Sequence, residues 1–380
     1  MHTTSEKAAK VRPSATMALN ARARELSQAG KEIINLTIGE PDFDTPENIK
    51  RAAATAMAKG FTRYTPAEGM RELREAISGK LLKDNSLEYT PDEIVVSCGA
   101  KHSIFNVLQS IVNDGDEVII PSPYWVSYAE QVSLVGGTPV FAETLCLDSR
   151  CIEKKISAKT KAIIVNSPNN PTGAVYGENA LKSTADLARD AGTFIISDEI
   201  YEKLIYGKKH HSIAEYAKEN TIVVNGVSKA YAMTGWRIGY AAGPANVMKV
   251  ASAVQSHTTG SANSIAQKAA IEALTGDQTS VEVMCAEFEQ RRNFVVKRLQ
   301  EIGMSCIKPE GAFYVFLEVP RGMTSSRFSE FLLEKAGVAV VPGDEFGSDR
   351  HVRISYASSI ESLKKAMDNL GNALKNLHGS

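Results

Sequence analysis

The chain has 380 residues and a formal net charge of −1, and 43% of its residues are hydrophobic. That length supports a large core and about two domains, whereas the balanced charge argues against nucleic-acid binding, which usually needs a basic patch. The five cysteines are scattered without a C-x-x-C pair, no hydrophobic signal core follows Met1, and no apolar run approaches about 20 residues. We therefore expect a cytoplasmic protein with reduced thiols that binds neither nucleic acid nor membranes.

Short β-branched runs alternate with helical patterns up to about residue 240. These runs predict strands at Ile94 to Ser97, Glu117 to Ile120, Thr138 to Phe141, Ala162 to Val165, Phe194 to Ser197 and Thr221 to Val224. Strands separated by helices indicate parallel β-α-β units with helices on both faces. Ligands in such sheets bind outside the carboxyl ends of the strands, so the residues that follow each strand are candidates for a site.

After Pro244 the pattern becomes helical, with a long helix predicted from about Thr279 to Glu301. Strands are then predicted at 313–319, 338–342 and 352–356, before a final helix from about Ile360. The predicted fold class is α/β: a large domain with a mostly parallel sheet flanked by helices, plus a smaller α+β domain.

The first candidate site follows the strand that ends at Ser97. Cys98 and Ser103 flank His102, which suggests a nucleophile, but a strand-to-helix turn whose backbone N–H groups face an anion fits the segment better. Gly99 and Ala100 are therefore candidates for binding a phosphate.

Two further strands end in residues that suit a pyridine-type cofactor. Asn170 precedes Pro171, which favours an extended backbone and would allow its amide to reach a ring oxygen. Asp198 ends the next run, with Tyr201 three residues later. An aspartate there can keep the ring nitrogen of pyridoxal phosphate protonated, although a helix cap is the commoner role for a single such aspartate.

The segment from Asn225 to Tyr240 contains Lys229 and Arg237, eight residues apart between two apolar runs. A lysine on a turn at a sheet edge is a candidate amine nucleophile for a carbonyl cofactor, and the arginine would suit a phosphate. Taken alone, the segment is equally consistent with a solvated lysine and a structural arginine.

Other chemistries find little support. There is no G-x-x-x-x-G-K-[ST] loop and no H-E-x-x-H. His210 and His211 are adjacent in a polar loop, and we expect them to be solvated, since a helical zinc pair needs i, i+4 spacing. We predict no metal site.

Asn170-Pro-Thr-Gly, Asp198 with Tyr201, and Ser228-Lys229 followed by Arg237 occur in an order that resembles the class I aminotransferases of the fold-type I pyridoxal phosphate enzymes. The similarity runs from about Pro13 to near the C-terminus and is greatest with the bacterial-type aspartate aminotransferase branch, some of whose members accept prephenate. It implies a large cofactor-binding domain at 45–285 and a discontinuous small domain formed by 1–44 and 286–380.

The resemblance also implies roles for individual residues. Lys229 would hold pyridoxal 5'-phosphate as a Schiff base and transfer the substrate proton. Asp198 would stabilise the protonated ring nitrogen, Tyr201 and Asn170 would bind the ring hydroxyl oxygen, and Trp125 would stack on the ring, although a core tryptophan is an alternative. The residues matched to the phosphate are Gly99, Ala100, Lys101, Ser228 and Arg237. Gly226 stands where the family often has a hydroxyl residue, so the phosphate contacts are expected to be fewer.

Substrate contacts are implied in the same way. Arg353 would clamp the α-carboxylate, Gly39 would let the backbone approach the substrate, and Trp125 and Asn170 would line the substrate site. Lys101 would take the second carboxylate of an acidic substrate, although a surface lysine is an alternative, and Arg12 and Thr16 match positions linked to prephenate use. Tyr64 matches a tyrosine that reaches the partner subunit's phosphate, which implies a homodimer with shared sites.

The resulting hypothesis is a ping-pong aminotransferase acting between aspartate or glutamate and 2-oxo acids such as 2-oxoglutarate, with prephenate as a further acceptor. A related enzyme for neutral or aromatic amino acids, or a C–S lyase, would share every cofactor residue. A non-catalytic effector module is disfavoured because Lys229 is present.

Overall fold

The computed structural model describes residues 4, 5, 9, 11 and 15–378. The strands within this part are β1 (Ile34–Asn35), β2 (Ile94–Ser97), β3 (Glu117–Ser122), β4 (Thr138–Glu143), β5 (Thr160–Asn166), β6 (Phe194–Asp198), β7 (Thr221–Gly226), β8 (Gly239–Ala242), β9 (Tyr314–Glu318), β10 (Val338–Ala339), β11 (Val341–Pro342) and β12 (His351–Ser355).

The α-helices whose bounds are described alternate with these strands and then follow them. They are α1 (Ala15–Gln28), α2 (Glu47–Ala58), α3 (Arg71–Asn85), α4 (Ala100–Ile111), α5 (Ser127–Leu134), α6 (Ser149–Glu153), α7 (Glu178–Asp190), α8 (Ala214–Ala217), α9 (Ala245–Thr258), α10 (Ser264–Thr275), α11 (Thr279–Glu301), α12 (Ser325–Phe331) and α13 (Ile360–His378). None of them has the length and apolar composition needed to cross a membrane.

Seven strands form the large sheet, in the order β2-β8-β7-β6-β5-β3-β4. The strands from β4 to β7 are parallel, whereas β8 runs antiparallel to both β7 and β2. Every residue of β7 and all but the first of β6 are buried, because apolar clusters cover both faces of the sheet. This explains why these strands are continuous apolar runs without polar alternation.

A second, antiparallel sheet has the order β11-β12-β9 and belongs to a separate apolar cluster that includes Phe313, Phe328 and Leu370. The N-terminal part of the chain joins it, since Leu36 lies in the same cluster and β1 pairs with β10 at Ile34 and Val338. The predicted α/β class with a smaller α+β unit is confirmed.

Helix α11 connects the two units. Val281 near its start packs in an apolar cluster of the large sheet, whereas Phe288 and Val295 further along pack in the cluster of the small sheet. The predicted domain boundary at residue 285 falls between these residues, and we retain the division into 45–285 against 1–44 with 286–380 as a proposal.

Candidate active site

A cavity of about 290 Å³ opens at the carboxyl ends of the parallel strands. This is where ligands bind in open α/β sheets, because crossover connections diverge there. Eleven of the residues singled out in the sequence line it: Gly39, Ala100, Lys101, Trp125, Asn170, Asp198, Tyr201, Ser228, Lys229, Arg237 and Arg353. Residues separated by more than 300 positions are thus brought together.

Lys229 follows β7 and points into the cavity, where its Nζ donates a hydrogen bond to the carbonyl oxygen of Gly39 (2.6 Å). Burial lowers the pKa of Lys229 to about 8; the charge of Glu40 opposes this shift, and those of Arg237 and Arg353 add to it. A lowered pKa makes the neutral amine accessible near physiological pH, as a lysine nucleophile requires.

Asp198 is the last residue of β6, and its carboxylate is buried. Burial raises the pKa of Asp198 to about 6, although the hydrogen bond from the Tyr128 hydroxyl to Oδ2 (2.6 Å) and the one from the Ile200 amide to Oδ1 (3.3 Å) favour the ionised form. Sequence reasoning missed Tyr128. Its only signal was its place three residues after Trp125, at the start of α5.

Arg237 occupies one end of the cavity and adopts a left-handed backbone conformation (φ 57°). Its Nη1 and Nη2 donate to the carbonyl oxygens of Thr234 (3.0 Å) and Cys98 (3.2 Å). Among the described residues no carboxylate pairs with it. Gly99 has φ 91°, and a Cβ at this position would lie 2.4 Å from Nη2 of Arg237. The glycine therefore makes room for the guanidinium beside the first turn of α4.

Arg353 lies on β12 and is only 2% exposed. Its Nη1 donates to Oδ1 of Asn170 (3.0 Å) and its Nη2 to the carbonyl oxygen of Thr37 (2.8 Å), while Nε has no partner within the described part of the chain. Burial lowers the pKa of Arg353. A buried guanidinium without a carboxylate is costly, so this position suits an incoming anion.

Lys101 is in the first turn of α4, with its Nζ 4.9 Å from the ring centroid of Trp125. Burial and the nearby Arg237 lower the pKa of Lys101. No carboxylate of the described residues pairs with it, and the residue as a whole is exposed, so its position is consistent both with a surface lysine and with a contact to a second substrate carboxylate. Among the described residues, the cavity is lined by the cations Lys101, Lys229, Arg237 and Arg353 and by one carboxylate, that of Asp198.

Tyr201 lies after β6, and its hydroxyl is 3.0 Å from that of Tyr314, which the sequence did not single out. Thr37, Asn166 and Thr234 also line the cavity and were likewise missed, since nothing in their local sequence distinguishes them from structural residues.

Two predicted residues within the described part of the chain, Gly99 and Tyr64, do not line the cavity. Tyr64 is 98% exposed, an unusual state for a tyrosine. Arg12 lies outside the described residues, and Thr16 lies in α1 with its side chain outside the described part.

The prediction that both adjacent histidines are solvated is wrong for His210. Its side chain is 10% exposed, with Nε2 3.0 Å from a carboxylate oxygen of Glu199. Burial alone would lower the pKa of His210, but Glu199 raises it above its ordinary value. Ligand atoms of His210, Glu199 and Glu202 lie within 4.8 Å of one another. Lys80 already pairs with Glu202, so a protein cation balances part of the charge that would attract a metal ion.

Comparison with known proteins agrees with this geometry. A profile of the family described as aminotransferase class I and II matches residues 31–370. The aspartate/prephenate aminotransferase of Thermus thermophilus is 47% identical over 96% of this chain and 97% of its own, and the aspartate aminotransferase of Bacillus subtilis is 46% identical over 94% and 95%. A structure of the Thermus thermophilus aspartate aminotransferase with maleate covers 98% of this chain and 100% of its own, with a TM-score of 0.96 and 45% identity. The chain belongs to the class I and II aminotransferases.

Proposed function

We propose that the protein transfers the amino group of aspartate or glutamate to 2-oxo acids such as 2-oxoglutarate, in a ping-pong reaction that uses pyridoxal 5'-phosphate. The observation that carries this proposal is the cavity with four cationic side chains and one carboxylate. Its excess positive charge suits a phosphate together with the carboxylates of a dicarboxylic substrate.

The residues present fit the cofactor. Arg237 has no carboxylate partner among the described residues, and the missing side chain of Gly99 leaves space beside it at the start of α4, where an anion is favoured. Ser228 and Ala100 also line the cavity and would contact the phosphate, and Asp198 would pair with a protonated ring nitrogen. When bound, pyridoxal phosphate supplies a carbonyl that captures amines and a ring that withdraws electrons.

The other side chains of the cavity would transfer the substrate proton and hold the cofactor ring. Nζ of Lys229 would accept the proton from the substrate Cα and return it, which its lowered pKa favours. Tyr201 and the Asn170 amide would donate hydrogen bonds to the hydroxyl oxygen of the cofactor ring, and Trp125 would stack on one face of that ring.

Substrate recognition would use two cations. Arg353, buried with an unpaired Nε, would bind the α-carboxylate present in every amino acid and 2-oxo acid. Lys101 would bind the second carboxylate of aspartate, glutamate or 2-oxoglutarate, and Gly39 would let its backbone lie close to the substrate. Prephenate, named for several relatives, also carries two carboxylates, and Arg12 and Thr16 are proposed to assist with it.

The exposure of Tyr64 supports a homodimer in which this tyrosine enters the partner's site. A large exposed aromatic ring is typical of an interface residue. The five cysteines are free thiols, which supports a cytoplasmic location.

The decisive experiment compares Lys101→Ala with Arg353→Ala on aspartate and on alanine. Loss of a charge-assisted contact costs roughly one to two powers of ten in kcat/KM. Arg353→Ala should lower kcat/KM for both substrates, whereas Lys101→Ala should lower it mainly for aspartate. Lys161→Ala is the matched control, because Lys161 also lies over an aromatic ring (Phe194, 5.8 Å) but outside the cavity.

A wild-type protein that fails to bind pyridoxal phosphate, or that turns over no amino acid, would overturn the proposal. Equal losses on both substrates in the Lys101 variant would overturn the dicarboxylate specificity alone. Mixing Tyr64→Phe and Lys229→Ala chains tests the shared site, since hybrid dimers would carry both lesions in one site and keep the other intact.

A further inference from the structure

Tyr314 is the residue in which two parts of the cavity meet. It begins β9, is fully buried, and lines the cavity, although neither its position nor its neighbours in sequence mark it as functional. Its hydroxyl lies 3.0 Å from the hydroxyl of Tyr201, and Cζ of Arg353 lies 4.4 Å from its ring centroid. One side chain therefore contacts both a proposed cofactor ligand and the proposed α-carboxylate ligand.

These contacts join separate sheets. Tyr314 and Arg353 belong to β9 and β12, which pair antiparallel with Ser355 opposite Tyr314, whereas Tyr201 follows β6 of the large sheet. Gly39 completes the enclosure, because a Cβ there would lie 3.2 Å from the Tyr314 hydroxyl. The Tyr314 hydroxyl is thus confined to a narrow space that faces Tyr201.

The chemistry of two adjacent hydroxyls assigns the direction of their hydrogen bond. Burial raises the pKa of both tyrosines, so both carry a proton near neutrality. A hydroxyl has one proton to donate and lone pairs that accept. If the Tyr201 hydroxyl donates its hydrogen bond to the cofactor's ring oxygen, the Tyr201 oxygen is left to accept a hydrogen bond from the Tyr314 hydroxyl. The charged groups that face the pair are Arg353, Asp198 and Lys229.

We propose that Tyr314 is a positioning residue, which donates to Tyr201 and so holds the Tyr201 proton toward the cofactor, while its ring holds the guanidinium of Arg353. The inference rests on the proposed function, because it assumes that Tyr201 binds the cofactor. Without the Tyr314 hydroxyl, Tyr201 could rotate its proton away from the ring oxygen and would stabilise negative charge there less well.

The test is a pH titration of the visible band of the enzyme loaded with pyridoxal phosphate. Tyr314→Phe removes the hydroxyl and keeps the ring. We expect the pH at the midpoint of the band's titration to rise by about half to one unit, which is the size of effect that loss of one neutral hydrogen bond produces. In a Tyr201→Phe background the same change should add no further shift, since the two residues act as one unit. Tyr356→Phe is the control, because Tyr356 is equally buried, donates to Ala312 (3.2 Å), and does not line the cavity.

A second variant separates the two contacts. Tyr314→Leu also removes one of two rings that lie beside Arg353, the other being Phe346 (5.0 Å). It should therefore weaken binding of the unreactive dicarboxylate maleate about three- to tenfold, as loss of a cation–π contact predicts. Tyr314→Phe should leave maleate binding within about twofold of wild type, because the ring remains.

An unchanged midpoint in Tyr314→Phe, or an equal shift in the Tyr201→Phe background, would overturn the positioning role even if the Leu variant failed to fold. Absence of a visible band in the wild type would instead contradict the proposed function, so the two failures are distinguishable.

Discussion

Removal of the Tyr128 hydroxyl should make cofactor binding dependent on pH across neutrality. Tyr128 is buried, and its hydroxyl donates to Oδ2 of Asp198 at 2.6 Å, while the Ile200 amide contacts the other oxygen at 3.3 Å. Tyr128→Phe would therefore leave the carboxylate with one long hydrogen bond in a buried environment that already disfavours its charge.

The expected changes in the pKa of Asp198 and in cofactor affinity follow from these contacts. A hydrogen bond to a charged group contributes about 1.5–3 kcal/mol, which corresponds to roughly one to two pKa units. Because the pKa of Asp198 is already raised to about 6, the variant carboxyl would titrate near neutrality or above. At pH 7 we expect pyridoxal phosphate affinity to fall roughly two- to tenfold, with the deficit shrinking toward pH 9 as the carboxylate ionises.

The assay is a titration of apoenzyme with pyridoxal phosphate at pH 6, 7, 8 and 9, followed by protein fluorescence. Tyr89→Phe is the matched control, because the Tyr89 hydroxyl is also buried but has no hydrogen-bond partner in the described part of the chain. If Tyr128→Phe and Tyr89→Phe bound the cofactor alike at every pH, the assigned role of the Tyr128 hydrogen bond would be refuted.

Three other outcomes are expected. Gly99→Ala should weaken pyridoxal phosphate binding at least tenfold, by about the strength of one charge-assisted contact, because the new Cβ would displace Arg237, and unchanged affinity by fluorescence titration would contradict this. Lys80→Ala should lower the free energy of unfolding in urea by about 3 kcal/mol, since it removes the lysine that pairs with buried Glu202 and leaves the Asn85 amide (2.8 Å) as a neutral donor to it, whereas Lys80→Met with Glu202→Leu should recover most of the loss. The rate at which apoenzyme captures the cofactor should rise about tenfold per pH unit up to pH 8 and then level off. The neutral amine of Lys229 is the nucleophile, and its fraction increases with pH until the lowered pKa is passed. A stopped-flow rate that stays flat between pH 6 and 8 would rule this out.

Local sequence was sufficient where one dominant force decides the structure. The apolar runs that predicted β2, β3, β5, β6 and β7 are observed as strands, since buried strands need nearly continuous apolar residues. The predicted β4 is also a strand, although it lies at the edge of the sheet and is mostly exposed or half-buried. Lys229 follows β7 and Asp198 ends β6; both were predicted to lie at the carboxyl edge of the sheet, and both line the cavity there. Arg353, which the resemblance matched to the substrate α-carboxylate, is buried and lines the cavity.

Strand direction, the burial of loop residues and the hydrogen-bond partners in the site depend on contacts between distant parts of the chain. The antiparallel direction of β8 depends on its neighbours β7 and β2, because hydrogen-bonded register is a property of paired strands. The local sequence predicts His210 to be a solvated loop residue, but its side chain is mostly buried and contacts Glu199. Tyr128 and Tyr314 acquire their roles only through partners 70 and 113 residues away. Sequence therefore determined which residues could carry charge, apolar surface or a nucleophile. Tertiary structure alone determined which hydroxyl faces which acceptor, because hydrogen bonds require distances of about 3 Å that no local pattern encodes.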